Sequence, residues 1–121
     1  MHVSTRRIYD DNGSQAGYRI LVDRIWPRGV SKGDADLDAW FKDFAPSDDL
    51  RKWFGHDPEK WDEFRKKYRQ ELQENKEEIK AKFSEFDLRK PLVLLYAASD
   101  TQRNNALVLK EFLEDVLPAE K

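Results

Sequence analysis

The chain has 121 residues, the length of one ordinary domain. Four Trp and seven Phe are enough to fill a core, which argues against disorder although 38% of residues are charged. The absence of cysteine excludes disulfides, zinc–thiolate centres and a thiol nucleophile, while a net charge of −2 excludes nothing by itself.

No apolar leader opens the chain and no apolar run approaches membrane-spanning length, so the expectation is a cytoplasmic protein without membrane contact. Charge is unevenly placed. Residues 1–33 hold six Lys or Arg against three acids, and the remainder is acidic. That distribution suits a local anion site better than a general nucleic-acid coat.

In chain order, residues 3–8 read as a strand and residues 10–17 as a turn punctuated by Asn12-Gly13. Residues 18–24 read as a second strand. The link between the two is too short for a helical crossover, so they are either antiparallel neighbours or not adjacent. Leu37, Trp40, Phe41 and Phe44 fall at helical spacing and predict a short helix ended by Pro46. Ser47 then caps a helix with Asp48 and Asp49 in its first turn, and Gly55 ends it. Asp57-Pro58-Glu59 starts the next helix. Its apolar stripe of Trp61, Phe64, Tyr68, Leu72, Ile79 and Phe83 predicts one long helix with these residues in the core, although the stripe thins after Leu72. Residues 92–97, LVLLYA, predict a strand buried on both faces. A helix over about 103–116 follows, with Asp100 or Thr101 as its cap. The sum is a single α/β domain over 1–121: a small, mostly parallel sheet flanked by helices.

Two stretches hold the chemistry. The second strand ends in Asp23, Arg24, Trp26 and Arg28, and the strand–helix loop at 99–105 holds Ser99, Asp100, Thr101, Asn104 and Asn105. Parallel strands would bring both to one sheet edge, where α/β domains bind ligands. Arg24 and Arg28 suit a phosphate or carboxylate, or else pair with Asp23 or Asp100 as scaffold. Trp26 is either a packed turn aromatic or a stacking platform. Asp23 and Asp100 are the only acids placed to serve as a general base. His2 and His56 lack metal-ligand spacing, so no metal and no cofactor is expected.

The segments GYRILVDRIWPRGVSK, APSDDLRKWFGHDPEKWDEFRKKY and LVLLYAASDTQRNNALVLKEFLE together resemble the YeaO-like branch of domain of unknown function 488. The resemblance spans nearly the whole chain. It implies a compact α/β domain but no activity, and it points to Asp23, Arg24, Trp26, Pro27, Arg28 and Gly29, then to Pro46, Ser47, Leu50 and Arg51, and to Asn104 or Asn105. Relatives often carry a basic residue where this chain has Ser99, and some carry His in place of Asn105. A mechanism needing either group is not supported here.

Three functions remain open at this level. The first is a cleft for a phosphorylated or nucleotide-like small anion. The second is a non-enzymatic module that binds single-stranded nucleic acid or serves in regulation, using Arg24, Arg28, Lys32 and Trp26. The third is a homodimer whose face is the aromatic helix. Oligomeric state and catalysis are left undecided.

Overall fold

The computed structural model describes residues 2–10 and 17–117; the predicted turn at Asn12-Gly13 lies outside them. The apolar run at 92–96 sits inside the sheet and orders it. Four strands, β1 (Val3–Arg7), β2 (Tyr18–Leu21), β3 (Ala39–Trp40) and β4 (Leu92–Tyr96), lie in the order β1-β4-β2-β3. All pairings are parallel, with Thr5 opposite Leu94 and Ile20 opposite Leu94 from the other side. The first two strands are therefore not neighbours, because β4 lies between them. Alternation along β4 feeds two cores. Leu92, Leu94 and Tyr96 face the helices, while Val93 and Leu95 pack with Ile8, Leu21 and Ala35 on the opposite face.

The helical face is covered by α2 (Asp48–Phe54), α3 (Trp61–Glu74), α4 (Lys76–Phe83) and α5 (Asn105–Val116). The short α1 (Lys32–Ala35) brings Ala35 to the other core. Capping follows the sequence signals at two starts. The Ser47 hydroxyl accepts the Leu50 N–H at 3.2 Å, and Asp57 accepts the Glu59 N–H at 3.0 Å before a 3-10 turn that leads into α3. Gly17 is obligatory for packing. Its φ is +115°, and a Cβ there would stand 2.4 Å from the Pro91 carbonyl oxygen.

Four expectations are corrected. Residues 37–44 do not form a helix; Ala39–Trp40 is the edge strand β3, followed by a 3-10 turn at Lys42–Phe44. The outer edge of β2 offers donors and acceptors that outweigh the helical spacing. Arg19 O accepts from Asp38 N at 2.8 Å and Leu21 O from Phe41 N at 2.9 Å. The long helix breaks at Asn75, which has φ −108° and donates from its side chain to Glu71 O at 3.3 Å. The break falls where the stripe thins, letting α4 turn Ile79 and Phe83 into the core. Strand β2 ends at Leu21 rather than Arg24, because the Asp23 side chain takes over the pairing with the β4 end. Finally, Asn104, not Asp100 or Thr101, caps α5.

Phe64, Tyr68 and Leu72 are buried, with Tyr68 at 0% exposure donating its hydroxyl to Phe44 O at 2.5 Å, whereas Trp61 is only partly buried. The aromatic stripe is thus core and not a dimer face. Phe64→Ala should cost about 3–5 kcal/mol in urea unfolding, and Trp61→Ala clearly less, since it leaves no enclosed cavity. Overlay of the Phe64→Ala melt on the parent's would contradict this packing.

Candidate functional site

Because all strands run the same way, the segments leaving β1, β2 and β4 emerge at one edge. They enclose a cleft of about 500 Å³, completed by Ala45, Pro46, Arg51, Phe54, His56 and Phe64 from the helical side. Of the residues read from sequence, Asp23, Arg24, Trp26, Arg28, Ser99, Asn104 and Asn105 line it, while Asp100 and Thr101 lie outside the lining.

The cleft exists because β2 and β4 part. Val22 N still donates to Leu95 O at 3.1 Å, one step beyond the last ladder pair. At the next step the Asp23 side chain replaces the backbone. Its Oδ2 accepts the Ala97 N–H at 2.9 Å, and its Oδ1 accepts from Asn105 Nδ2 at 3.0 Å. The same Asn105 amide donates to Val22 O at 3.1 Å. The orphaned strand groups are thereby satisfied by two side chains, which is why regular pairing stops before Asp23. The Asp23 carbonyl in turn accepts the Trp40 indole N–H at 2.7 Å.

Residues 27–30 form a tight turn, Val30 N to Pro27 O at 3.4 Å, and Gly29 at φ +80° supplies the positive φ that a type II turn needs at its third residue. Arg28 therefore projects from the tip, exposed. Among the described residues its guanidinium has no hydrogen-bond or ion-pair partner, while its carbonyl accepts the Tyr9 hydroxyl at 2.8 Å. Arg24 pairs with neither Asp23 nor Asp100. It donates to Pro46 O at 3.2 Å and Ala45 O at 3.4 Å, and it shares the exposed Asp48 with Arg51, at 3.9 and 3.4 Å. Trp26 is a packed turn aromatic. Its N–H donates to Val30 O at 2.7 Å and its ring meets Trp40 edge-on at 5.3 Å.

The two acids differ. Burial pushes the Asp23 carboxyl above the ordinary aspartate range, against the opposing hydrogen bonds from Asn105 and Ala97 and the nearby His56. Asp100 is held below that range, chiefly by the Gln102 N–H, with Arg103 assisting. Its Oδ1 accepts from Gln102 N at 2.9 Å and Arg103 N at 3.1 Å, so it organises its own loop. Asn104 is buried, capping Leu107 N at 3.1 Å and donating to Asp100 O at 3.1 Å. Among the described residues no group of three His, Asp or Glu gathers where it could hold a metal, and no helix is long and apolar enough to cross a membrane.

Sequence reading missed Arg7, Tyr9 and His56. Arg7 ends β1 and Tyr9 lies in the 3-10 turn after it, and only the strand order shows that this end joins the site. His56 reaches the cleft through two successive left-handed residues, Gly55 at φ +53° and His56 at +59°. A non-glycine residue there carries no sequence signal.

The fold and site define a parallel α/β domain with a cationic cleft beyond the strand ends. Residues 2–121 match the family model described as the inactive DUF488-N3 subclade, and the chain belongs to this DUF488 family. It is 41% identical over 116 residues to the uncharacterised protein YeaO of Escherichia coli K12, covering 96% of this chain and all of that one. Uncharacterised proteins of Mycobacterium tuberculosis and Mycobacterium bovis are each 38% identical over 111 residues, covering 92% of both chains. No solved structure matches.

Two outcomes follow from this geometry. Carboxyl NMR titration should place the Asp23 midpoint above the ordinary aspartate range and that of Asp100 below it. A raised folded-state value means that folding stability falls as pH rises through the Asp23 window, so the parent should lose stability there relative to Asp23→Asn. Arg28→Met should change stability by less than about 0.5 kcal/mol, as free surface residues do. Arg24→Met, which strands two carbonyls, should cost about 1–2 kcal/mol in urea melts. Equal losses for the two arginine variants would contradict the assignment of Arg28 as unpaired.

Proposed function

We propose that this protein is a binding module whose cleft takes a small phosphorylated or nucleotide-like anion. The observation that carries this reading is Arg28, a guanidinium presented without a partner at the mouth of a cleft whose other rim cations, Arg24 and Arg51, share a single acid. A folded chain gains nothing in stability from an unpaired charge held on a rigid turn, whereas a ligand phosphate gains a fork-shaped donor.

Binding without turnover is supported by the state of the acids. Each Asp23 oxygen already accepts a hydrogen bond from the fold, and Asp100 lies outside the cleft lining and bonds its own loop. The description of the matched subclade as inactive points the same way. Trp26, packed on Trp40, is poorly presented for stacking with bases, which favours the small ligand over single-stranded nucleic acid.

Millimolar phosphate or a nucleoside monophosphate should raise the melting temperature of the parent and leave Arg28→Met unmoved. Binding should weaken only modestly between 50 and 200 mM salt, since few charges are engaged. A steep loss, on the order of 10³-fold, would instead indicate nucleic acid. No ligand-induced shift in the parent would remove the proposal.

A further inference from the structure

The polar atoms of the cleft decide which way a ligand must lie. Its inner surface is formed by Ala45, Pro46, Phe54, Phe64, Ala97 and Ala98. Four backbone groups of these residues are already matched. Ala45 O and Pro46 O accept from Arg24, Ala98 O accepts from Arg7 Nε at 3.0 Å, and Ala97 N donates to Asp23. The side-chain amide nitrogens of the two asparagines at this end are engaged as well. Asn105 bonds Val22 O and Asp23, while Asn104 bonds Leu107 N and Asp100 O. The wall that Ala45, Pro46, Phe54, Phe64, Ala97 and Ala98 offer a ligand is therefore largely apolar, with the exposed His56 ring and Ser99 hydroxyl beside it.

An anion is also disfavoured at the inner end. The Asp23 carboxylate occupies the place beside the start of α5 where an α/β domain would put a phosphate, and a second anion there would meet a like charge in a poorly solvated setting. The unmatched positive charge lies at the mouth. Arg28 has no partner, Arg24 and Arg51 divide Asp48 between them, and Arg7 is already opposed by Asp10 at 3.4 Å. Two cations are thus uncompensated at the rim, which suits one phosphomonoester dianion. A volume of about 500 Å³ accommodates a one- or two-ring body with its phosphate, within the range of small-molecule sites.

We infer that the cleft takes a phosphomonoester with a planar apolar body, ring inward against Ala97, Ala98 and Pro46 and phosphate outward at Arg28. This rests on the anion-binding reading above and narrows it: the ligand is held by both ends, and inorganic phosphate alone lacks half of the interaction.

Isothermal titration of the full chain with 1-naphthyl phosphate, adenosine 5′-monophosphate, inorganic phosphate and uncharged 1-naphthol tests this. At least one of the two ring-bearing esters should bind tenfold or more tighter than inorganic phosphate and than naphthol, and the tighter of them shows whether an aryl or a nucleotide body fits. Arg28→Met should reduce naphthyl phosphate to the affinity of naphthol. Ala98→Leu, which fills the inner wall, should weaken the ring-bearing ester about tenfold and leave inorganic phosphate unchanged. Should that variant fail to fold, NOEs between ring protons and the Ala97 and Ala98 methyls of the parent give the same answer. Equal affinity for inorganic phosphate and both esters, or ring NOEs absent from those methyls, overturns the orientation while leaving an anion site. Naphthol binding as tightly as its phosphate, or no binding by any of the four, overturns both this inference and the anion site.

Discussion

Where two parallel strands separate, the amides and carbonyls on their facing edges lose partners, and a buried orphan costs about 1–3 kcal/mol. Everything at the functional end of this molecule depends on how that cost is avoided between β2 and β4. The Asp23 carboxylate spans the gap, taking the Ala97 N–H on one oxygen and the Asn105 amide on the other, while Asn105 also satisfies Val22 O. One side chain from the end of β2 and one from the start of α5 thus continue the ladder after the backbone has left it. The arrangement lets the two strand ends splay by the width of a side chain without exposing unsatisfied groups, and the splay is the cleft.

The rest of the rim is hung from this point. Trp40 donates to the Asp23 carbonyl and supports Trp26, which closes the turn through Val30 O. Tyr9, reaching over from the end of β1, binds the Arg28 carbonyl. The turn is therefore pinned from both sides at its backbone, and only the Arg28 side chain is left without a protein partner among the described residues. Arg24 is positioned differently, by the carbonyls of Ala45 and Pro46, so it ties the strand end to the segment leading into α2. Two arginines four residues apart in one loop have come to serve a scaffold and a free rim, and their distinction lies in which backbone carbonyls happen to face them.

Much of this was legible in advance, and the limits have physical causes. Strand β4 was readable because burial on both faces needs an unbroken apolar run, and the α2 and α3 starts because capping chemistry is local. The meeting of Asp23–Arg28 with the 99–105 loop followed once the strands were taken as parallel. Local pattern failed where a tertiary partner decided the outcome. Trp40 and Phe41 suit a helix by spacing, but the open edge of β2 bonds their backbone as a strand. Asn75 looked like one more polar residue in a helix until its amide turned back on Glu71. Asp23 and Arg24 looked like a pair because they are adjacent and opposite in charge. Adjacent residues in an extended segment point apart, and each found its partner across the fold.

The same geometry bears on why a site so well placed for chemistry is read here as a site for binding. An acid becomes a useful base when a substrate proton can reach a lone pair that nothing else holds, in an environment poised near the working pH. Desolvation does raise the Asp23 carboxyl, the direction a base requires. Yet the hydrogen bonds that fix it in place act against that rise, and they tie the end of β2 to the end of β4 and to the start of α5. Proton transfer to Asp23 would weaken the acceptor on which the Ala97 amide and Asn105 depend, so each turnover would loosen the wall of its own pocket. A carboxylate that replaces a strand's backbone is committed to the fold, whereas the Arg28 guanidinium, exposed on its turn, is the charge the fold leaves uncommitted among the described residues.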